Sequence, residues 1–153
     1  MKNEKMKQFE DILNNIEIDL KKMENPITKK INELSKRINC ELKQSVDLSA
    51  DATSYRQVLI DEKTNQYYKM YKELPKLKQM KKKHFEHYST KYAIKLNGGE
   101  KTKLIDADMA YHDAKMDFFQ NHINFLTESI KTIDHVIYSI KNKIDMFNIT
   151  GLD

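Results

Sequence analysis

Apolar positions recur along this chain at spacings of three and four, the period of amphipathic helices, and nowhere alternate as strands do. Met6, Phe9, Leu13, Ile16, Leu20 and Met23 stand 3, 4, 3, 4 and 3 apart, an a/d seam that calls for a helical partner. Asn25-Pro26 is expected to end that helix and open a second, with Asn25 as cap and Pro26 in the first turn. The second helix lines one face with Ile27, Ile31, Leu34, Ile38 and Leu42. Ser45–Asp51, SVDLSAD, is rich in capping residues, so a third helix is expected to start near Ser49 or Asp51. It would run through Tyr55, Val58, Leu59, Tyr67, Tyr71, Leu74, Phe85, Tyr88 and Tyr92. Pro75 lies inside it and should kink or break it near 71–75.

Asn97–Glu100, NGGE, is the glycine cluster that should reverse the chain before a fourth helix. There Met116, Phe119, Ile123, Leu126, Ile130, Ile133, Ile137, Ile140, Ile144 and Phe147 keep a 3-4 alternation without a miss. A seam this long and this rich in Ile favours coiled-coil assemblies larger than dimers, so these ten positions are the expected oligomerisation surface. Part of the seam can pack on the third helix. That helix loses its apolar register at Lys78 and Lys81, which leaves seam free for self-association.

Composition agrees with long helices: 153 residues hold only 3 Gly and 2 Pro, with 33% charged. No apolar run approaches the roughly 18 residues of a membrane span. The polar opening MKNEKMKQFEDIL carries no visible secretory signal, and a lone Cys40 fits a reducing cytoplasm. Cys40 lies off the apolar stripe and reads as an inert small residue. The net charge of +4 conceals an asymmetry: residues 69–103 carry eleven lysines against Glu73, Glu86 and Glu100. One concentrated basic segment points to an anionic partner met at one place.

Glycines at 98, 99 and 151 form no phosphate-cradling loop. His84 and His87 lack the carboxylate three residues earlier that a helical-bundle metal centre uses, so neither a metal nor another cofactor is expected. His112 continues the fourth-helix seam upstream, whereas His122 and His135 read as surface residues. No serine–histidine or paired-carboxylate constellation argues for catalysis.

The basic segment raises its own question. Lys76, Lys78, Lys81, Lys82 and Lys83 repel one another at i, i+4 spacing and are expected to wrap the whole helix. Phe85, Tyr88 and Tyr92 follow as an aromatic stripe, of which Phe85 is expected in the core. Lysines beside aromatic rings suit single-stranded nucleic acid, where phosphates are neutralised and bases stacked with little sequence preference. Lysine point charges without arginine forks read bases poorly, and the arginines are only Arg37 and Arg56. The candidate contacts are Lys76, Lys78, Lys81, Lys82, Lys83, His84, Tyr88, Lys91, Tyr92 and Lys95.

The succession of LIDEKTNQYYKMYKELPKLKQMKKKHFEHYS, a turn and FLTESIKTIDHVIYSIKNKIDMFNITG resembles the UvsY family of phage recombination mediators. Its most specific pieces are the basic run into HFEHYS and the ending YSIKNKIDMFNI; the likeness covers about residues 31–151. The resemblance implies a non-enzymatic, ring-forming homo-oligomer, a hexamer or heptamer. Such a protein binds single-stranded DNA, helps displace the single-strand-binding protein and loads a RecA-like recombinase in the host cytoplasm, without a membrane partner. The family's lysine and arginine for DNA contact fall here on Lys82 and His84. The chain departs from the pattern at Pro75, at His87 for a tyrosine, at Thr90 for a glycine and at Met146 for a tryptophan.

The expected architecture is all-α: long antiparallel helices with a coiled-coil-like C-terminal helix in a ring. Residues 1–30 form an added helical extension and 31–153 the core, with the basic helix at about 51–96 and the oligomerising helix at about 104–148. Two other readings stay open. One is a coiled-coil scaffold whose lysines merely face water; the other is a peripheral helix drawn to anionic lipid, though it lacks the Trp, Phe and Leu face of such helices.

Overall fold

The computed structural model describes residues 2–151, so Met1, Leu152 and Asp153, the outer ends of the expected extension and core, lie outside the described residues. Three long helices carry the chain: α1 (Lys2–Lys36), α2 (Leu42–Glu86) and α3 (Gly98–Thr150). A 3₁₀ turn, Arg37–Asn39, links the first two, and a π-helical turn, His87–Lys91, closes the end of α2. No strand occurs among the described residues.

Three helices replace the expected four, because neither proline interrupts its helix. Pro26 denies the Lys22 carbonyl its donor and Pro75 denies Tyr71's, but both residues are exposed, where solvent is available to the carbonyls. An interior proline costs about 3 kcal/mol. Continuing α1 buries Leu20, Ile27, Ile31 and Leu34, each contributing roughly 1.5–3 kcal/mol, and the continuous helix wins.

SVDLSAD likewise lies within α2 and does not precede it. Ser45, Leu48 and Ala52 are buried at spacings of 3 and 4, and the Ser45 hydroxyl donates to the Glu41 carbonyl. The chain breaks earlier, where Cys40 is extended and the Gln44 side chain accepts the Glu41 N–H at 3.3 Å, half of a capping box. Asn97–Glu100 does reverse the chain, and it forms a complete box. Asn97 Oδ1 accepts the Glu100 N–H at 2.8 Å, and the Glu100 carboxylate takes both the Asn97 N–H and its side-chain amide.

The chain divides into two compact units. The core unit comprises Asp19–Asn65 and the chain from His122 onward; the basic unit comprises the chain up to Ile18 and Gln66–Asn121.

In the core unit, Ile27, Ile31 and Leu34 of α1 meet Leu48, Ala52 and Leu59 of α2 and Leu126, Ile133, Val136 and Ile140 of α3. α2 and α3 run antiparallel there, since Arg56 binds Asp134 at 2.6 Å and Glu62 faces His122. α1 runs parallel to α3, with Glu24 against His122 and, further along both, Ile38 sharing a cleft with Ser139. The face of α3 that is buried here is centred on His122, Leu126, Ser129, Ile133, Val136 and Ile140. Four of the ten seam residues, Ile123, Leu126, Ile133 and Ile140, therefore lie inside the chain's own core. Ile130, Ile137 and Ile144 pack half-buried at its edge; Phe147 is half-buried too.

His122, expected at the surface, is 0% exposed. Its Nδ1 lies 2.9 Å from Glu24 Oε1 and its Nε2 4.0 Å from Glu62 Oε1, so all three helices converge on one imidazole. A position flanked by Asn121 and Asn124 looks polar in sequence; the Glu24 carboxylate arriving from α1 gives Nδ1 its hydrogen-bond partner, while Nε2 makes no hydrogen bond among the described residues and has Glu62 as its nearest charge.

The basic unit is thinly buried. Gln66 and Leu77 of α2 and Met109 of α3 are its buried members, and Phe9 of α1 stacks on Tyr111 at 4.7 Å between ring centres. Much of the α1 seam is open, with Met6 and Phe9 exposed beside Ile12 and Ile18.

Candidate nucleic-acid interface

α2 keeps a regular inward stripe through the basic unit, but not the expected one. Gln66, Met70, Glu73, Leu77, Met80, His84 and Tyr88 are buried or half-buried at spacings of 4, 3, 4, 3, 4 and 4. Polar members hide this stripe in the sequence. The register therefore is not lost at Lys78 and Lys81, which lie outside it. The five lysines from Lys76 to Lys83 do not wrap the helix either; they cover its outer arc, while Leu77, Met80 and His84 face in.

All five are exposed, as are Lys91 and Lys95. Lys76 reaches Glu73 at 3.4 Å. Among the described residues, Lys78, Lys81, Lys82 and Lys83 have no carboxylate partner. Both arginines are consumed internally: Arg56 on Asp134, and Arg37 on Asp51, whose hydrogen bond raises the guanidinium pKa further. The exposed basic surface of the α2 end is thus made of lysine point charges.

The three rings of the segment divide differently from expectation. Phe85, expected in the core, is 52% exposed, and Lys101 from the start of α3 brings its ammonium to 5.4 Å from the ring centre. An inward position is denied it because His84, one residue earlier, already occupies the inward stripe. Tyr88 is half-buried and its hydroxyl donates to Asp108 Oδ2. That hydrogen bond, reinforced by burial, pushes the phenol pKa up to about 12. Tyr88 also meets His87 and Tyr92 edge-on at 5.1 and 5.3 Å, closing a three-ring cluster on the π-turn.

His84 Nδ1 lies 3.4 Å from the same Asp108 oxygen. One carboxylate of α3 therefore gathers His84 and Tyr88 and ties the end of α2 to α3. This turns the imidazole toward Asp108. On the outer side of the π-turn, Lys83, His87, Thr90 and Lys91 line a shallow cleft with Glu86.

The structure thus brings Lys78, Lys81, Lys82 and Lys83 into one exposed arc. It draws His84 and Tyr88 inward and leaves Lys95 on the connecting segment before α3. Sequence reasoning passed over Asp108, whose only signal was an acid set among apolar heptad positions, and it assigned Phe85 to the wrong face. No helix among the described residues is long and apolar enough to cross a membrane. Comparison with protein-family models, with curated proteins and with solved structures gave no match.

Proposed function

We propose that this chain is a recombination mediator: it binds single-stranded DNA along the end of α2, helps displace the single-strand-binding protein and presents the strand to a RecA-like recombinase. The observation that carries this reading is the arc of exposed, unpartnered lysines at 78, 81, 82 and 83. A helix holding like charges this close loses a few tenths of a kcal/mol per pair. A polyanion recovers far more than that through counterion release. Lysines without available arginine forks fit backbone binding that is indifferent to sequence.

A homo-oligomer completes the proposal, since several weak sites on one scaffold raise avidity by roughly 10²- to 10⁴-fold. With four seam residues committed to the chain's own core, the self-association surface is reassigned to the outer edge of α3. Exposed Tyr138, Met146 and Ile149 stand there, on the side of the helix away from Ile133 and Ile140. The open apolar residues of α1, Met6, Phe9, Ile12 and Ile18, offer a surface for protein partners. They also favour a second reading, a coiled-coil scaffold whose lysines only face water.

Fluorescence anisotropy of labelled oligo-dT across a salt series separates the two. The mediator reading expects binding that weakens steeply with salt and is lost by ~100-fold or more in Lys81→Glu/Lys82→Glu/Lys83→Glu at unchanged oligomer mass. Absence of binding by the wild type at low salt leaves the scaffold.

A further inference from the structure

Part of the apolar stripe expected of α2, Tyr71, Leu74 and Phe85, lies on its exposed side. Tyr67, Tyr71, Leu74, Lys78, Lys81 and Phe85 follow one another at spacings of 4, 3, 4, 3 and 4, about 100° round the helix from the inward stripe. Such a set forms a single row along the helix. Its two ends are aromatic and its middle is basic. Tyr71 is 63% exposed and rests on half-buried Tyr67, ring centres 6.1 Å apart and 21° from parallel. Phe85 is anchored at the other end beside Lys101. Lys82, next to Lys81, widens the basic middle.

We infer that Phe85 and Tyr71 are base-stacking platforms at the two ends of one track, with the strand lying along the α2 axis and its phosphates on Lys78, Lys81 and Lys82. The platforms stand about 21 Å apart at about 1.5 Å rise per residue. This deepens the proposed function and rests on it; it adds the base contact that lysines alone do not supply. Exposed apolar rings are a liability on a free surface, and a partner that is anionic and carries flat apolar faces suits the row at both kinds of position. Tyr88, by contrast, has its hydroxyl and both flanks engaged and positions the π-turn.

The chain has no tryptophan, so a single introduced one reports its site alone. Phe85→Trp and Tyr71→Trp are prepared in the full chain, with helicity and oligomer mass checked, and titrated with oligo-dT. The track expects both emissions to be quenched in step with the anisotropy change. It also expects Phe85→Ala to weaken binding by roughly 5- to 150-fold, as loss of a stacked base does, with no change in the salt slope. Intact affinity in Phe85→Ala together with unquenched tryptophans overturns the track and leaves lysine-only binding standing. No binding of oligo-dT by the wild type overturns the proposed function itself. A blue shift with anionic phosphatidylserine vesicles, and no response to oligo-dT, overturns both in favour of a lipid surface.

Discussion

The two units have been built from the same three helices for opposite ends. The core unit carries no net charge, and buries ten mutually packed apolar residues together with a histidine hydrogen-bonded to Glu24. The basic unit carries the entire net charge of +4 and buries few side chains, Leu77, Met109 and Gln66 among them. Burial and charge neutrality hold the fold in one stretch of each helix, which frees the neighbouring stretch to keep repelling lysines and exposed rings. The stable core and the proposed binding surface thus occupy different stretches of the helices.

The sharpest way to break this contrast is a pair of truncations. Leu126→Ala, at a fully buried position among packed neighbours, is expected to cost about 3–5 kcal/mol. Leu77→Ala, in the thin interior of the basic unit, is expected nearer 2 kcal/mol, because the site relaxes more readily. Urea unfolding followed by circular dichroism measures both, and equal losses would remove the distinction.

A smaller effect sharpens it. Tyr88's phenol pKa is raised from 10.0 to about 12, chiefly by its hydrogen bond to Asp108. A raised pKa means that the neutral phenol is favoured in the folded state. Its contribution is therefore present in full below pH 10 and is lost as pH climbs toward 12. In Asp108→Asn the ultraviolet titration of this tyrosine should return toward the ordinary value, and the loosening of the π-turn should begin at lower pH. An unchanged titration would mean that Asp108 does not hold the turn.

Much of this fold was legible, and the misreadings share a cause. The α3 helix followed from ten uninterrupted heptad positions, and the NGGE reversal from its own chemistry, an asparagine three residues before a glutamate. Pro26 and Pro75 misled because local helix breaking is weaker than the burial gained on either side. The inward face of α2 was missed because Gln66, Glu73 and His84 lie on it, while the tyrosines one residue later drew the eye to the exposed row. His122 was missed for the same reason: the carboxylates that face it, Glu24 and Glu62, are remote in sequence and meet it only in the fold. For the candidate site, the lysines were plain in the sequence. The side on which each ring would fall was not, since a half-polar inward stripe has no apolar period to give it away.

The most direct test of the separation is amide hydrogen exchange of the full chain with and without saturating oligo-dT. The account predicts slowed exchange confined to residues 67–91 and the start of α3, with 122–144 protected equally in both states. Slowing centred on 122–144, with 67–91 unaffected, would contradict it.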